Sequence, residues 1–377
     1  MPDEAGGSTA TGRGRAGRVA LGVLGPSDVT RDHGPWLARD LPKRLSREVE
    51  GSLDWHVEVA DETFTLDQSL EEILETGREW MRKRGWELVI CLIDLPLYAE
   101  NRPLVAEVSA TSHVAVLSLP ALGGLLLKKR MSEATVRIAD ALVGEQGAEQ
   151  QGDTDRLAEL LGERAAPIER KQPDEDPVDV RFLGTSRRGR VRLLLGMVRA
   201  NRPWRLIFGL SSALATALAT GAFGLVTNTI WQLSDALSAW RLAVAAIGSV
   251  GLMVTWLIVR HGIWEQRSER EGVDAERAAL YNATSVLTLT VGVLCIYAVM
   301  FVLDLAAAGF VIDANVLSSS NGLSHSVGVT DYLELAWLTT SAAIVGGALG
   351  STLQSQEHVR RVAYGARQRA RLVQSGK

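Results

Sequence analysis

Apolar and polar positions divide this chain into two parts at about residue 204. Beyond that point four long apolar runs, about Arg205–Thr227, Trp240–Val259, Ala283–Leu303 and Leu333–Leu353, follow one another within Trp204–Leu353. Each is close to the roughly 20 apolar residues that carry a helix, rising about 1.5 Å per residue, across a ~30 Å hydrocarbon core. No Lys or Arg occupies the centre of a run, where a charge costs about 2.5–3.5 kcal/mol on insertion scales. The runs predict a C-terminal four-helix transmembrane bundle over 204–354.

Ahead of the runs the periods are shorter. Val19–Leu24 is a brief apolar stretch leaving into Gly25-Pro26-Ser27-Asp28, and Trp55–Val59 alternates as a half-buried strand does. Glu87–Ile93 and Val114–Leu119 are nearly continuous apolar segments, the pattern of parallel strands covered on both faces. Helical spacing joins Trp36, Leu37, Leu41, Leu45 and Val49, with Pro42 as a possible break. It also puts Leu70, Ile73, Leu74, Gly77, Trp80 and Met81 on one face of Ser69–Arg84, which Gly85 stops. Met131–Val143 reads as an amphipathic helix. This cadence predicts a layered α/β cytosolic domain with a mostly parallel sheet over 18–145.

The flanking segments read differently. Met1–Gly17 is Gly, Ser, Thr and Arg-rich and expected to be disordered. Its G-x-G-x-x-G at Gly12, Gly14 and Gly17 precedes the first strand rather than following one, so it is no dinucleotide fingerprint. Residues 146–188 read as a polar linker with a short helical stretch around Leu157–Leu161, and 189–203 as a basic amphipathic helix in the headgroup layer. Residues 355–377 form a basic tail. The first residues carry no signal pattern, so the spans themselves are expected to direct insertion.

Charge distribution sets the expected orientation. Arg181, Arg187, Arg188, Arg190, Arg192, Arg199, Arg202 and Arg205 precede the first run with no acidic residue among them. Arg260, Arg267, Arg270 and Arg277 fill the link between the second and third runs, and Arg360, Arg361, Arg367, Arg369, Arg371 and Lys377 lie in the tail. Thr227–Ala239 and Asp313–Tyr332 contain neither Lys nor Arg. By the positive-inside rule both termini are cytoplasmic. Because the arginines sit at span boundaries rather than in a separate basic domain, they point to anionic lipid headgroups and not to nucleic acid.

Candidate chemistry is sparse. In open parallel sheets ligands bind beyond the carboxyl ends of the strands. That rule selects Ser27 and Asp28, Asp61, Asp94, and Ser118 with Gly123 and Gly124. Each also has an ordinary reading: Asp94 as a loop or cap hydrogen bond, Gly-Pro-Ser-Asp as a turn. His113 would enter from the amino end of its strand, away from that edge. Cys91 and Cys295 form no pair-spacing motif, and no catalytic, cofactor or metal signature appears. Asp304 follows the third run and precedes apolar Leu305–Ile312. It marks either a buried functional group or the outer end of a span stopping at Leu303. Small residues recur at Ala213, Ala217 and Gly221 and at Gly346 and Gly350, which permits close helix packing within the chain or in a homo-oligomer.

The combination of Leu24-Gly25-Pro26-Ser27-Asp28, Asp94-Leu95-Pro96-Leu97 and Ser118-Leu119-Pro120-Ala121-Leu122-Gly123 with four following spans resembles actinobacterial integral membrane proteins, over most of the chain. The resemblance implies a multi-pass protein of a bacterial plasma membrane. Some of these relatives carry the label methylenetetrahydrofolate dehydrogenase, which implies a catalytic Lys in a Tyr-x-x-x-Lys pattern and a Gly-rich NADP loop. Leu95-Pro96-Leu97 is similar to that family's folate-site motif. No Tyr here, Tyr98 included, is followed by Lys four positions on, and the Gly-rich loop is absent. The expectation is a ligand- or partner-binding cytosolic domain on a membrane anchor. A membrane-tethered enzyme acting on a nucleotide- or folate-like substrate and a small transporter are the other readings.

Overall fold

The structure of the 377-residue chain is a computed structural model. It describes residues 18–49, 53–65, 68–99, 102–109, 111–143, 168–171, 180–184, 188–264, 272–321 and 327–353. The Gly12–Gly17 motif, the Leu157–Leu161 stretch and the basic tail lie outside the described residues. The chain falls into two compact units. The first comprises the residues to Ile93, Leu104–Leu119 and Leu126–Thr185; the second comprises Asp94–Pro103, Pro120–Leu125 and everything from Ser186.

The first elements in order are β1 (Arg18–Gly25), α1 (Ser27–Glu48), β2 (Asp54–Asp61), α2 (Leu70–Arg84) and β3 (Leu88–Ile93). There follow β4 (Tyr98–Ala99), β5 (Arg102–Ser109), β6 (Val114–Ser118), α3 (Leu127–Val143), β7 (Ile168–Lys171) and β8 (Val180–Gly184). The ends of α2 are set by local chemistry. Ser69 and Glu72 form a capping box, which satisfies two N–H groups the first turn cannot pair, and Gly85 ends the helix in a left-handed conformation at φ 69°. α1 begins nine residues before the apolar spacing at Trp36 and runs through both Pro35 and Pro42. Burial of Leu37, Leu41 and Leu45 in the core outweighs the lost backbone bonds.

The sheet order is β2-β1-β3-β6-β5-β8-β7. β2, β1, β3 and β6 are parallel to one another, as the apolar runs predict. β5, β8 and β7 extend the sheet antiparallel, so it is mixed rather than mostly parallel. The reason is the short link at 110–113, with His113 at φ 54°, which joins β5 to β6. A link that short can only return a strand antiparallel. The expected linker at 146–188 contributes β7 and β8, so the sheet unit reaches to residue 185 rather than 145.

Helices dock on the sheet through glycines. A side-chain carbon at Gly77 of α2 would meet Cys91 Sγ at 3.4 Å and Val114, and one at Gly34 of α1 would meet Val59 at 3.3 Å. The Trp86 indole covers Gly22 of β1 so closely that no side chain fits there. Its Nε1 donates to Glu58 at 3.0 Å, and its ring stacks on Trp80 with centroids 5.9 Å apart.

The helical unit contains α4 (Arg188–Ala200), α5 (Leu206–Gly209), α6 (Ser211–Leu225), α7 (Asn228–Ala236), α8 (Ala239–His261), α9 (Gly272–Val311), α10 (Ala314–Asn321) and α11 (Val329–Gly350). Among the described residues three helices, α8, the Ala279–Val311 part of α9, and α11, are long and apolar enough to cross a membrane. The first run does not form one straight span. It breaks at Leu210, and α6 alone would cover only about 22 Å. It counts as a span only together with the preceding Arg188–Gly209, from which it bends by 55°. The third run does not end at Leu303: α9 continues unbroken through Asp304 to Val311. Leu206, Leu210, Leu257, Leu289, Val293, Met300 and Ile344 form the buried core of this unit, while Phe208, Phe223, Ile247, Val259 and Phe310 are exposed. A surface this rich in large apolar groups suits lipid contact.

Candidate functional site

In the sheet unit, β1 has β2 on one side and β3 on the other, with all three parallel. The direction in which strands are added therefore reverses between β1 and β3, a topological switch point of the kind where open α/β sheets bind ligands. α1 starts there, directly after Pro26, with exposed Ser27 and half-buried Asp28 in its first turn. In the register of β1 and β2, Gly25 lies opposite Asp61, the last residue of β2. The Thr30 hydroxyl, one turn into α1, donates to the Asp61 carboxylate, and Glu62 N–H donates to the Gly25 carbonyl at 2.8 Å. Ser27, Asp28 and Asp61 thus come together at one edge, with Thr30 as the tie. Sequence reading passed over Thr30; its only signal was a hydroxyl three residues into a helix that starts at a strand end.

The remaining candidates are placed differently. Ser118, the last residue of β6, is fully buried. Gly123 adopts φ 94° and closes a turn by donating its N–H to the Pro120 carbonyl at 3.0 Å. Gly124 lies against the Leu195 carbonyl of α4, 3.1 Å from where its side-chain carbon would stand, so helix packing occupies that position. Asp94 follows β3 directly, is half-buried, and groups with the helical unit.

A second polar feature of the sheet was not anticipated. Glu107, in the middle of β5, is completely buried. Its Oε2 accepts from Arg181 Nε of β8 at 2.9 Å, while Oε1 has no hydrogen-bond partner among the described residues. Burial pushes the Glu107 carboxyl above the usual carboxylate range, and the Arg181 guanidinium offsets only part of this. Burial likewise pushes the Cys91 thiol up, leaving it an inert core group.

In the helical unit both small-residue stripes are packed against other residues of the chain. Ala213 and Ala217 of α6 are buried, and a side-chain carbon at Gly347 would stand 3.0 Å from the Ala213 carbonyl and 3.2 Å from Ala217. Gly346 abuts the Thr220 side chain and Gly350 that of Thr216. Gly221 faces Asp304 Oδ1 at 2.7 Å from its would-be side-chain carbon. Asp304 is 4% exposed, and its Oδ2 accepts from Thr340 Oγ1 at 2.8 Å. The carboxylate is buried among the helices, and α9 runs unbroken past it to Val311. Among the described residues no group of three or more His, Cys, Asp or Glu side chains converges as metal ligands.

The chain matches no protein-family model, no curated protein and no solved structure. Its helices of membrane-crossing length are those of a membrane protein, and its particular role rests on the residues above.

Proposed function

We propose that the chain is a multi-pass protein of a bacterial plasma membrane, related to the actinobacterial group it resembles, whose cytosolic sheet domain binds a small anionic ligand. The bent segment that ends in α6, together with α8, α9 and α11, forms the transmembrane bundle that anchors the domain, with both termini cytoplasmic and arginines at the boundary attracting anionic headgroups. The observation that carries this reading is the switch point between β1 and β3, where α1 begins beside Asp61. The positive end of α1 favours an anionic group. The exposed Asp61 carboxylate, steadied by Thr30, is an acceptor for a hydroxyl or amino group one strand away. A ligand that carries both, as a nucleotide does, suits the pair. The small-residue stripes are occupied within the chain, so a homo-oligomer would use other surfaces.

A thermal-shift screen of the full-length protein in micelles against nucleotides, folates and common metabolites tests this. Saturating ligand stabilises by RT ln(1 + [L]/Kd), about 2.7 kcal/mol at 100 times Kd. The expected result is an upward shift with a nucleotide-class ligand that Asp61→Ala abolishes. No shift with any compound, or a shift that Asp61→Ala leaves intact, would refute the site. Turnover of the stabilising compound would favour the membrane-tethered enzyme instead.

A further inference from the structure

We propose that Asp304 is a proton-binding site of the helical unit, held as the neutral carboxylic acid where α6, α9 and α11 meet. Four observations converge on it. Asp304 is 4% exposed, yet α9 continues beyond it for nearly two turns ending in Phe310 and Val311, both exposed as lipid-facing residues would be. It therefore lies inside an apolar stretch and not at its edge. One carboxyl oxygen accepts the Thr340 hydroxyl at 2.8 Å, and the other lies over Gly221, where any side-chain carbon would crowd it at 2.7 Å. The glycine thus makes room for the carboxyl group.

Among the described residues no charged group forms an ion pair with Asp304. α6 carries no titratable side chain at all. α11 carries Asp331, Tyr332 and Glu334, all six or more residues before Thr340, and Asp331 and Glu334 line a shallow pocket with Trp231 and Asp235 instead. α8 carries Arg241 at one end and Arg260 and His261 at the other. On α9 itself Tyr297 is the nearest titratable neighbour, and its hydroxyl is engaged by Ser341 at 2.9 Å and the Trp337 carbonyl. None of these forms an ion pair with Asp304 among the described residues.

An ionised carboxylate without a counter-charge in such surroundings is strongly disfavoured. One carboxylate and one hydroxyl also supply far fewer oxygens than the six or so a hard cation takes. A proton removes the charge and leaves one carboxyl oxygen free to accept the Thr340 hydroxyl. Because Asp304 touches α6 and α11 at once, packing of the three helices and possession of that proton go together.

Infrared difference spectroscopy of the full-length protein in lipid vesicles at neutral pH decides the matter. Wild type minus Asp304→Asn is expected to show the carbonyl band of a protonated carboxylic acid, displaced in deuterium oxide. Thr340→Val keeps Asp304 in place and removes the hydrogen bond, so wild type minus Thr340→Val should give a paired feature in that same protonated region. This second subtraction decides the question even if Asp304→Asn fails to fold. Carboxylate bands in either subtraction, as a bound cation or water access would produce, overturn the proposal.

Discussion

Arg181→Ala lowers the stability of the sheet unit by about 3–5 kcal/mol, the typical cost of removing one partner from a buried ion pair. Glu107 is fully buried, and among the described residues its Oε1 already lacks a hydrogen-bond partner. Arg181 supplies the charge that makes Oε2 tolerable. The loss should depend on pH in a definite direction. The folded state raises the Glu107 pKa through burial, so it holds the proton more readily than the unfolded chain does. The contribution of this group is therefore most favourable below the usual glutamate value of about 4.3 and declines as pH rises through the raised folded value. Without Arg181 the folded value rises further. The deficit of Arg181→Ala is then greatest at neutral pH and narrows in acid. Amide hydrogen exchange of the full-length protein, read at Leu104–Val108 and Phe182, should accelerate by about two to four powers of ten, with α6 and α11 as internal controls. Unchanged exchange there would mean that the pair contributes nothing.

The second large effect belongs to the α6–α11 seam. Gly346→Leu and Gly350→Leu each destabilise the helical unit by about 1–3 kcal/mol, because leucine must displace the Thr220 or Thr216 side chain and push the helices apart. Gly248→Leu and Gly251→Leu on α8 are the controls. A side-chain carbon at either meets nothing within 4 Å, and leucine is the better helix former. Thermal unfolding in micelles should separate the two pairs, with the seam variants lowered and the α8 variants level or raised. Four equal midpoints would show that close approach of α6 and α11 does not matter.

What the sequence made legible follows from where each signal resides. Local signals transferred well: the helix from Ser69 to Arg84, its Gly85 stop and the four parallel strands are written in contiguous residues. β5 was hidden because Glu107 interrupts its apolar pattern, and the residue that makes a charge tolerable there is 74 positions away in β8. β7 and β8 were hidden because Ile168–Lys171 and Val180–Gly184 are short and lie among charges; as antiparallel strands at one side of the sheet they need no long apolar run. The candidate edge was half legible. Ser27, Asp28 and Asp61 were found from the strand-end rule, whereas Thr30 joins them only through the packing of α1 beside β2. Asp304 was visible as a carboxylate between apolar stretches. Its burial depends on Gly221 and Thr340, 83 and 36 residues away along the chain, and no local pattern encodes it.

The most direct test of the membrane account is cysteine accessibility in intact cells, on a background carrying Cys91→Ala and Cys295→Ala. His56→Cys on β2 and Ser238→Cys and Asn315→Cys in the helical unit stand at exposed positions. The account predicts that a membrane-impermeant maleimide labels Ser238→Cys and Asn315→Cys from outside, and His56→Cys only after the membrane is opened. Labelling of His56→Cys in intact cells, or protection of Ser238→Cys there, would contradict a cytosolic sheet domain anchored by helices that cross the membrane.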